Sequence, residues 1–320
     1  MIARCIEAIT FQEAWRRYDD YEPISELILE ALTSSFAHIH ELPRFRTLEL
    51  LFVATRYTSR GNSPCVQWTI LSAISSQTPS PSLTSLTIDN LAPLYHPIYN
   101  SPSFSGLFRS LTSLSVTTAY DDVFSTHDHY RSFFVKFWEK AIQDRMLGSL
   151  SHSLTTLMLQ GQVDVGVMPR LDFSQVKFPA LEALSLQKIL FNEETRIENF
   201  IVRHNGTLRR LWLAGCAIVV EDLDEVAARQ WSHIWKHFAQ EMKGLVSLVV
   251  RSDSLDRDGF TTDSFGEDDS LKYVGRNWQT WHSYEPWDER LPYEDGDHLA
   301  LRELRRSVRL QALERQKYEE

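Results

Sequence analysis

Two places in this 320-residue chain carry residue types that could do chemistry, and both lack the partners that chemistry needs. His127-Asp128-His129 sets two imidazoles two residues apart, which could share a divalent cation, but no further Cys, His or carboxylate at metal-ligand spacing completes a coordination shell. The triplet lies in a polar insertion and reads as a solvated loop. Asp253, Asp256, Asp258 and Gly259 have the look of a calcium loop. Aligning Gly259 with the turn glycine, however, puts Ser254 at the first ligand and Phe265 where the bidentate acid belongs, so an acidic surface loop is expected. The sequence contains no GxxxxGK followed by Ser or Thr, no GxGxxG, no HExxH and no GxSxG. No catalytic, cofactor-binding or metal-ligating residue is assigned, and the expectation is a protein that is not an enzyme.

Recognition is a different kind of chemistry, and its residues are in place. Trp212 flanked by Arg210, with Met158, Gln160, Gln187 and Arg251, combines the aromatic and guanidinium side chains that dominate the energetics of protein interfaces. These six are the candidate partner-binding residues. The competing expectation is that Trp212 is covered by the C-terminal part of the chain.

What would position them is a leucine phrase. Leu181-x-x-Leu184-x-Leu186 recurs 27 residues later as Leu208-x-x-Leu211-x-Leu213, with a helical pattern between. Searching outward finds further copies at Phe45-Leu48-Leu50, Leu83-Leu86-Ile88, Leu111-Leu114-Val116, Leu154-Leu157-Leu159 and Leu245-Leu248-Val250. Seven phrases at intervals of 38, 28, 43, 27, 27 and 37 residues imply a basic period near 27 with insertions in the connections. Side chains alternate along a strand, so the leucines face inward and the residues between them outward. The expected fold class is α/β: an irregular leucine-rich-repeat solenoid, a horseshoe of about seven parallel strands with helical returning segments. Small hydroxyl residues dominate the outward positions of the first half, and larger side chains those of the second.

The returning segments show helical periodicity. Ile197, Phe200, Ile201 and His204 share a face, with Asn192 as the expected N-cap. Trp231, Ile234, Trp235, Phe238 and Met242 form a second stripe, and Phe134, Phe137, Trp138, Ala141 and Ile142 a third; both are expected in the core. Residues 1–44 are expected to cap one end through a helix at Ile24 to His40, residues 45–252 to form the repeats, and residues 253–320 to hold an acidic loop, an aromatic flap and a capping helix started by Asp297. The stretches 57–64 and 92–105 read as irregular loops.

Charge and cysteine usage limit the partners. There are 43 acidic and 33 basic residues, a net of −10, and the stretch Asp253 to Asp297 alone carries thirteen acids against four bases. Bulk charge therefore argues against nucleic acid and against an anionic membrane surface. Three widely spaced cysteines, Cys5, Cys65 and Cys216, suggest neither a disulfide framework nor a zinc site. With no apolar run near 20 residues, a cytoplasmic or nuclear location inside the cell is expected. Asn205-Gly206-Thr207 matches a glycosylation sequon but reads as a helix-to-strand turn.

Three segments carry a family resemblance: MPRLDFSQVKFPALEALSLQKILF, IENFIVRHNGTLRRLWLAGCAI and DHLALRELRRSVR. Together they resemble fungal F-box proteins with degenerate leucine-rich repeats, over roughly Leu48 to Arg309. The resemblance implies a protein partner on the concave sheet face, held as the substrate of a ubiquitin ligase, and a ligase adaptor docked by an N-terminal F-box. The helix at Ile24 to His40 lacks the Leu-Pro-x-Glu opening of that box. Either the box has been lost, leaving a stand-alone scaffold or binding protein, or it lies ahead of Met1.

Overall fold

The structure, a computed structural model, describes residues 5–13, 24–53, 64–76, 83–119, 128–220, 229–251, 272–276, 284–286 and 294–319. Eight strands form one parallel α/β sheet in the order β1 (Ala8–Gln12), β2 (Thr47–Leu51), β3 (Ser85–Leu91), β4 (Ser113–Thr118), β5 (Thr156–Val165), β6 (Ala183–Ile189), β7 (Arg210–Ala214) and β9 (Ser247–Arg251). A second sheet joins β8 (Ala217–Val220), β10 (Lys272–Arg276) and β11 (Tyr284–Pro286), with β10 parallel to β8 and antiparallel to β11. The described helices are α1 (Glu26–Ala37), α2 (Cys65–Ser76), α3 (Pro102–Gly106), α4 (Asp128–Lys136), α5 (Ile197–Arg203), α6 (Trp231–Glu241) and α7 (Glu294–Glu319). By compactness the chain divides into Met1–Met158, unit 1, and Leu159–Glu320, unit 2.

Each of the seven leucine phrases ends in a strand of the large sheet. Of their twenty-one anchor residues Leu248 alone is not buried, as a two-residue period with one face turned to the core requires. Burying one such leucine is worth about 2 kcal/mol, so the anchors are the main support of the sheet. The backbone repeats with them. The carbonyl of the residue after the first anchor accepts two amides from the next phrase: Arg46 O from Thr84 and Ser85, Thr84 O from Thr112 and Ser113, Thr112 O from Thr155 and Thr156. In unit 2, Glu182 O accepts from Arg209 and Arg210, and Arg209 O from Val246 and Ser247.

The same contact reveals an eighth phrase. Glu7 O accepts Arg46 N and Thr47 N, which puts Ile6, Ile9 and Phe11 at the three anchor positions, and β1 pairs in parallel with β2. The N-terminal region therefore supplies an edge strand as well as a helix.

Seven residues after the first anchor of three phrases, the chain turns into the left-handed region: Asn90 (φ 56°), Lys188 (φ 58°) and Gly215 (φ 54°). Asn and Gly enter it at little cost; Lys188 does so at a cost of about 1 kcal/mol. Asn90 also ties the neighbouring segments, its Nδ2 donating to Phe52 O at 3.0 Å while its own amide donates to Thr117 Oγ1 at 2.9 Å.

The aromatic stripes are core. Phe134, Phe137, Trp138, Ala141 and Ile142 are all at most 3 % exposed, and after Lys136 the helix widens into a π-helical segment, Phe137–Met146. Trp231, Ile234, Trp235, Phe238 and Met242 are at most 2 % exposed, with Trp231 and Trp235 stacked at 4.9 Å. His204 joins the core as a neutral ring. Its Nε2 accepts Phe178 N at 3.0 Å, so Nδ1 carries the proton toward Phe200 O at 2.7 Å, and burial holds its pKa below the ordinary imidazole range.

Three local expectations are corrected. The cap of α5 is Arg196, itself left-handed at φ 54°, and not Asn192; the Asn192 side chain instead accepts Val219 N at 3.1 Å, tying down β8. The stretch 92–105 is not irregular throughout, because Pro97–Asn100 and α3 form short helices that bury Tyr99 and Phe104, with Ser101 Oγ accepting Ser103 N. Asp297 does not start the last helix, since α7 begins at Glu294. It works in trans at the start of α6, accepting Ser232 N at 2.6 Å and Tyr273 Oη at 2.6 Å, while Tyr273 Oη accepts Trp231 N at 3.0 Å. Two of the orphan amides of α6 are thereby satisfied from β10 and α7. Burial pushes the Asp297 carboxyl above the usual range, and the bonds from Tyr273 and Ser232 partly offset this.

Candidate recognition face

The residues between the leucines lie on the other side of the sheet, and in unit 2 the register of three strands arranges them in rows. β6, β7 and β9 align Ala183, Arg210 and Ser247 in the first row, Ser185, Trp212 and Val249 in the second, and Gln187, Ala214 and Arg251 in the third. Trp212 is thus the centre of a three-by-three grid whose neighbours across the strands and farther along its own strand are small. That leaves the indole 41 % exposed, the only tryptophan among the large exposed hydrophobic residues described. Arg251 lies with its guanidinium carbon 4.9 Å from the ring centroid, a cation–π contact that fixes both groups.

Arg210 and Arg251 are exposed, and neither makes an ion pair among the described residues. Neighbouring arginines behave differently. Arg209 donates to Gly244 O and Gly206 O, Arg203 to Ser174 O, and Arg305 to Val250 O. Arg229 is held by Glu198 at 2.8 Å, where His237 also bonds at 2.5 Å. Those guanidiniums are held by carbonyls or a carboxylate, whereas among the described residues the two on the grid have neither.

Of the six residues singled out in the sequence, the grid brings together Gln187, Arg210, Trp212 and Arg251. Gln160 lies in the part of β5 that belongs to unit 2. Met158 lies in unit 1, where its sulfur accepts Ser115 Oγ at 3.2 Å. Ser185 and Val249 already count among the outward positions of their phrases; what the register adds is that these small side chains flank the indole and keep it accessible.

The aromatic flap is more regular where it is described. β10 pairs with β8, and Tyr273 is buried. α7 packs against α6 with Leu301, Leu304 and Val308 buried, and its Arg305 Nη2 donates to Val250 O at 3.0 Å beside the grid. Trp278, Trp281 and Trp287, the acidic loop with Asp253, Asp256, Asp258 and Gly259, and His127 lie outside the described residues.

Unit 1 has its own leucine-free face. Thr47, Ser85 and Ser113 align in one row, and Glu49, Thr87 and Ser115 in the next. Thr10 Oγ1 donates to Glu49 Oε2 at 2.8 Å, and Thr117 Oγ1 donates to Asp89 Oδ1, which also accepts Asn90 N at 3.1 Å.

Among the described residues no cluster of three or more His, Cys, Asp or Glu could hold a metal ion. No described helix is long and apolar enough to cross a membrane. Comparison with known proteins finds no family model, no curated protein and no solved structure that this chain matches.

Proposed function

We propose that this protein is a non-catalytic protein–protein recognition module of the leucine-rich-repeat kind, and that the grid around Trp212 is where it reads its partner. The repeat reading is supported by eight parallel strands that carry one phrase each, by the double amide-to-carbonyl contact that recurs between successive phrases, and by the left-handed turn at one fixed position in three of them. The recognition reading rests on one observation above others: a half-exposed tryptophan, pinned by one arginine and flanked by a second, on a sheet face where neither guanidinium is neutralised by a described residue. Tryptophan and arginine concentrate binding energy because they desolvate a large area and donate directed hydrogen bonds.

The resemblance to F-box repeat proteins favours a substrate receptor for ubiquitination as the biological setting, with a stand-alone binding protein as the alternative if no F-box is attached. Affinity purification of the tagged chain, followed by mass spectrometry, separates them: recovery of a ligase adaptor and a cullin decides for the receptor. The double substitution R210A/W212A is expected to abolish capture of the partner so identified while leaving the melting temperature within about 2 °C, because surface changes cost about 0.5 kcal/mol or less. Undiminished capture by the double variant would remove the grid from the recognition reading.

A further inference from the structure

Resting on the recognition reading, we infer that the grid binds an extended acidic segment of a partner protein, with two carboxylates four residues apart and an apolar side chain midway between them. The spacing follows from the register. Arg210 precedes Trp212 by two residues on β7, and Arg251 on β9 is level with Ala214, two residues beyond Trp212. The two arginine positions are therefore four residues apart along the strand direction, about 13 Å between backbones, with Trp212 halfway and the Arg251 guanidinium leaning back over the indole. A peptide laid along β7 in extended conformation presents every second side chain to the sheet, so its first, third and fifth residues meet Arg210, Trp212 and Arg251 in turn.

The chemistry selects the side chains. Carboxylates accept the charge-assisted bonds that Arg210 and Arg251 do not make among the described residues, and an apolar group covers the exposed indole between Ser185 and Val249. Arg251 is already held on the ring, so part of the ordering cost is met before the ligand arrives. A carboxylate segment is favoured over nucleic acid because the chain as a whole carries a net charge of −10, which repels a polyphosphate backbone, whereas two carboxylates need only the two local cations.

The test uses the full chain and three fluorescein-labelled nonapeptides read by fluorescence anisotropy. The first has glutamate at its third and seventh positions and leucine at its fifth; the second replaces both glutamates by glutamine; the third moves the second glutamate one position closer. The first is expected to bind about tenfold or more tightly than either of the others, since the shifted peptide loses one charge-assisted contact and the glutamine peptide two. Its affinity should fall about tenfold in R210Q and in R251Q, fall further in W212A, and weaken as salt rises from about 50 to 300 mM. Circular dichroism melts of each variant confirm that the sheet is intact.

Equal binding of the glutamine peptide overturns the acidic segment while leaving the grid as a recognition site. So does unchanged binding in R210Q and R251Q, or no binding of any peptide. Tighter binding of a nine-nucleotide oligothymidylate would replace the acidic segment with a nucleic-acid ligand. The reading beneath fails separately, when R210A/W212A captures the purified partner as well as the parent chain does.

Discussion

In unit 1, Glu49 and Asp89 on the leucine-free face are each bonded by a threonine of the neighbouring strand, whereas in unit 2 Arg210 and Arg251 on the corresponding face make no ion pair among the described residues. Both faces stand on the same foundation, a parallel ladder with buried anchors. The difference lies only in what the alternate positions carry. Ser and Thr neighbours turn the charges of unit 1 inward into the protein's own bond network, where they stabilise the sheet. Small neighbours in unit 2 leave its charges and its indole available to something else. A folded surface thus signals recognition less through the residues it displays than through those it leaves unsatisfied.

Substitutions on the shared foundation are expected to have the largest effects and should not distinguish the units. Leu50→Ala in unit 1 and Leu213→Ala in unit 2 each remove a side chain at most 1 % exposed, at an expected cost of about 3 kcal/mol in chemical denaturation. A loss below about 1 kcal/mol in either would deny that the anchors carry the sheet. Next comes the contrast itself. Asp89→Ala is expected to cost about 1–2 kcal/mol by removing the acceptor of the Thr117 hydroxyl and one of two acceptors of Asn90 N, lowering the melting temperature by several degrees with partner capture unchanged. Arg251→Gln should do the reverse, with capture weakened and stability altered by about 0.5 kcal/mol or less. If both behave alike, the two faces do not differ in kind.

The smallest effect sharpens the comparison through pH. His204 belongs to unit 2, and its folded-state pKa lies below that of the unfolded chain because the ring is buried. On acidification the unfolded state takes up the proton first, so stability falls as pH drops through the ordinary imidazole value of about 6.5 toward the folded pKa. Melting curves at pH 7.5 and 5.5 should show this loss in the parent chain and a smaller one in His204→Gln. An equal loss in both would place the titration elsewhere.

The strands were legible because leucine at every second position can serve only a ladder with one buried face. Three features were less so, for physical reasons. The phrase Ile6-Ile9-Phe11 is present in the sequence, yet its anchors are only half-buried at the sheet edge and contain no leucine, so a search guided by leucine passes over it. Asp297 looks like the cap of its own helix, and nothing local reveals that its amide partner, Ser232, is 65 residues away. Lys188 takes the left-handed turn that Asn90 and Gly215 announce by their type, and a lysine gives no such notice. The grid shares this limit. Arg210 and Trp212 stand out by composition, but that Arg251 lies over the indole, and that Met158 belongs to the other unit, depend on register and on division of the chain.

Cys216, at the left-handed turn after β7, is buried with its Sγ 3.7 Å from Leu186 O, and burial pushes its thiol up to about 12. At pH 8 only about one molecule in ten thousand then holds the thiolate that electrophiles require. Cys5, by contrast, is exposed. The native chain therefore contains a chemical clock: alkylation at Cys216 advances only when the turn beside the grid opens, and its rate measures how often the end of β7 breathes.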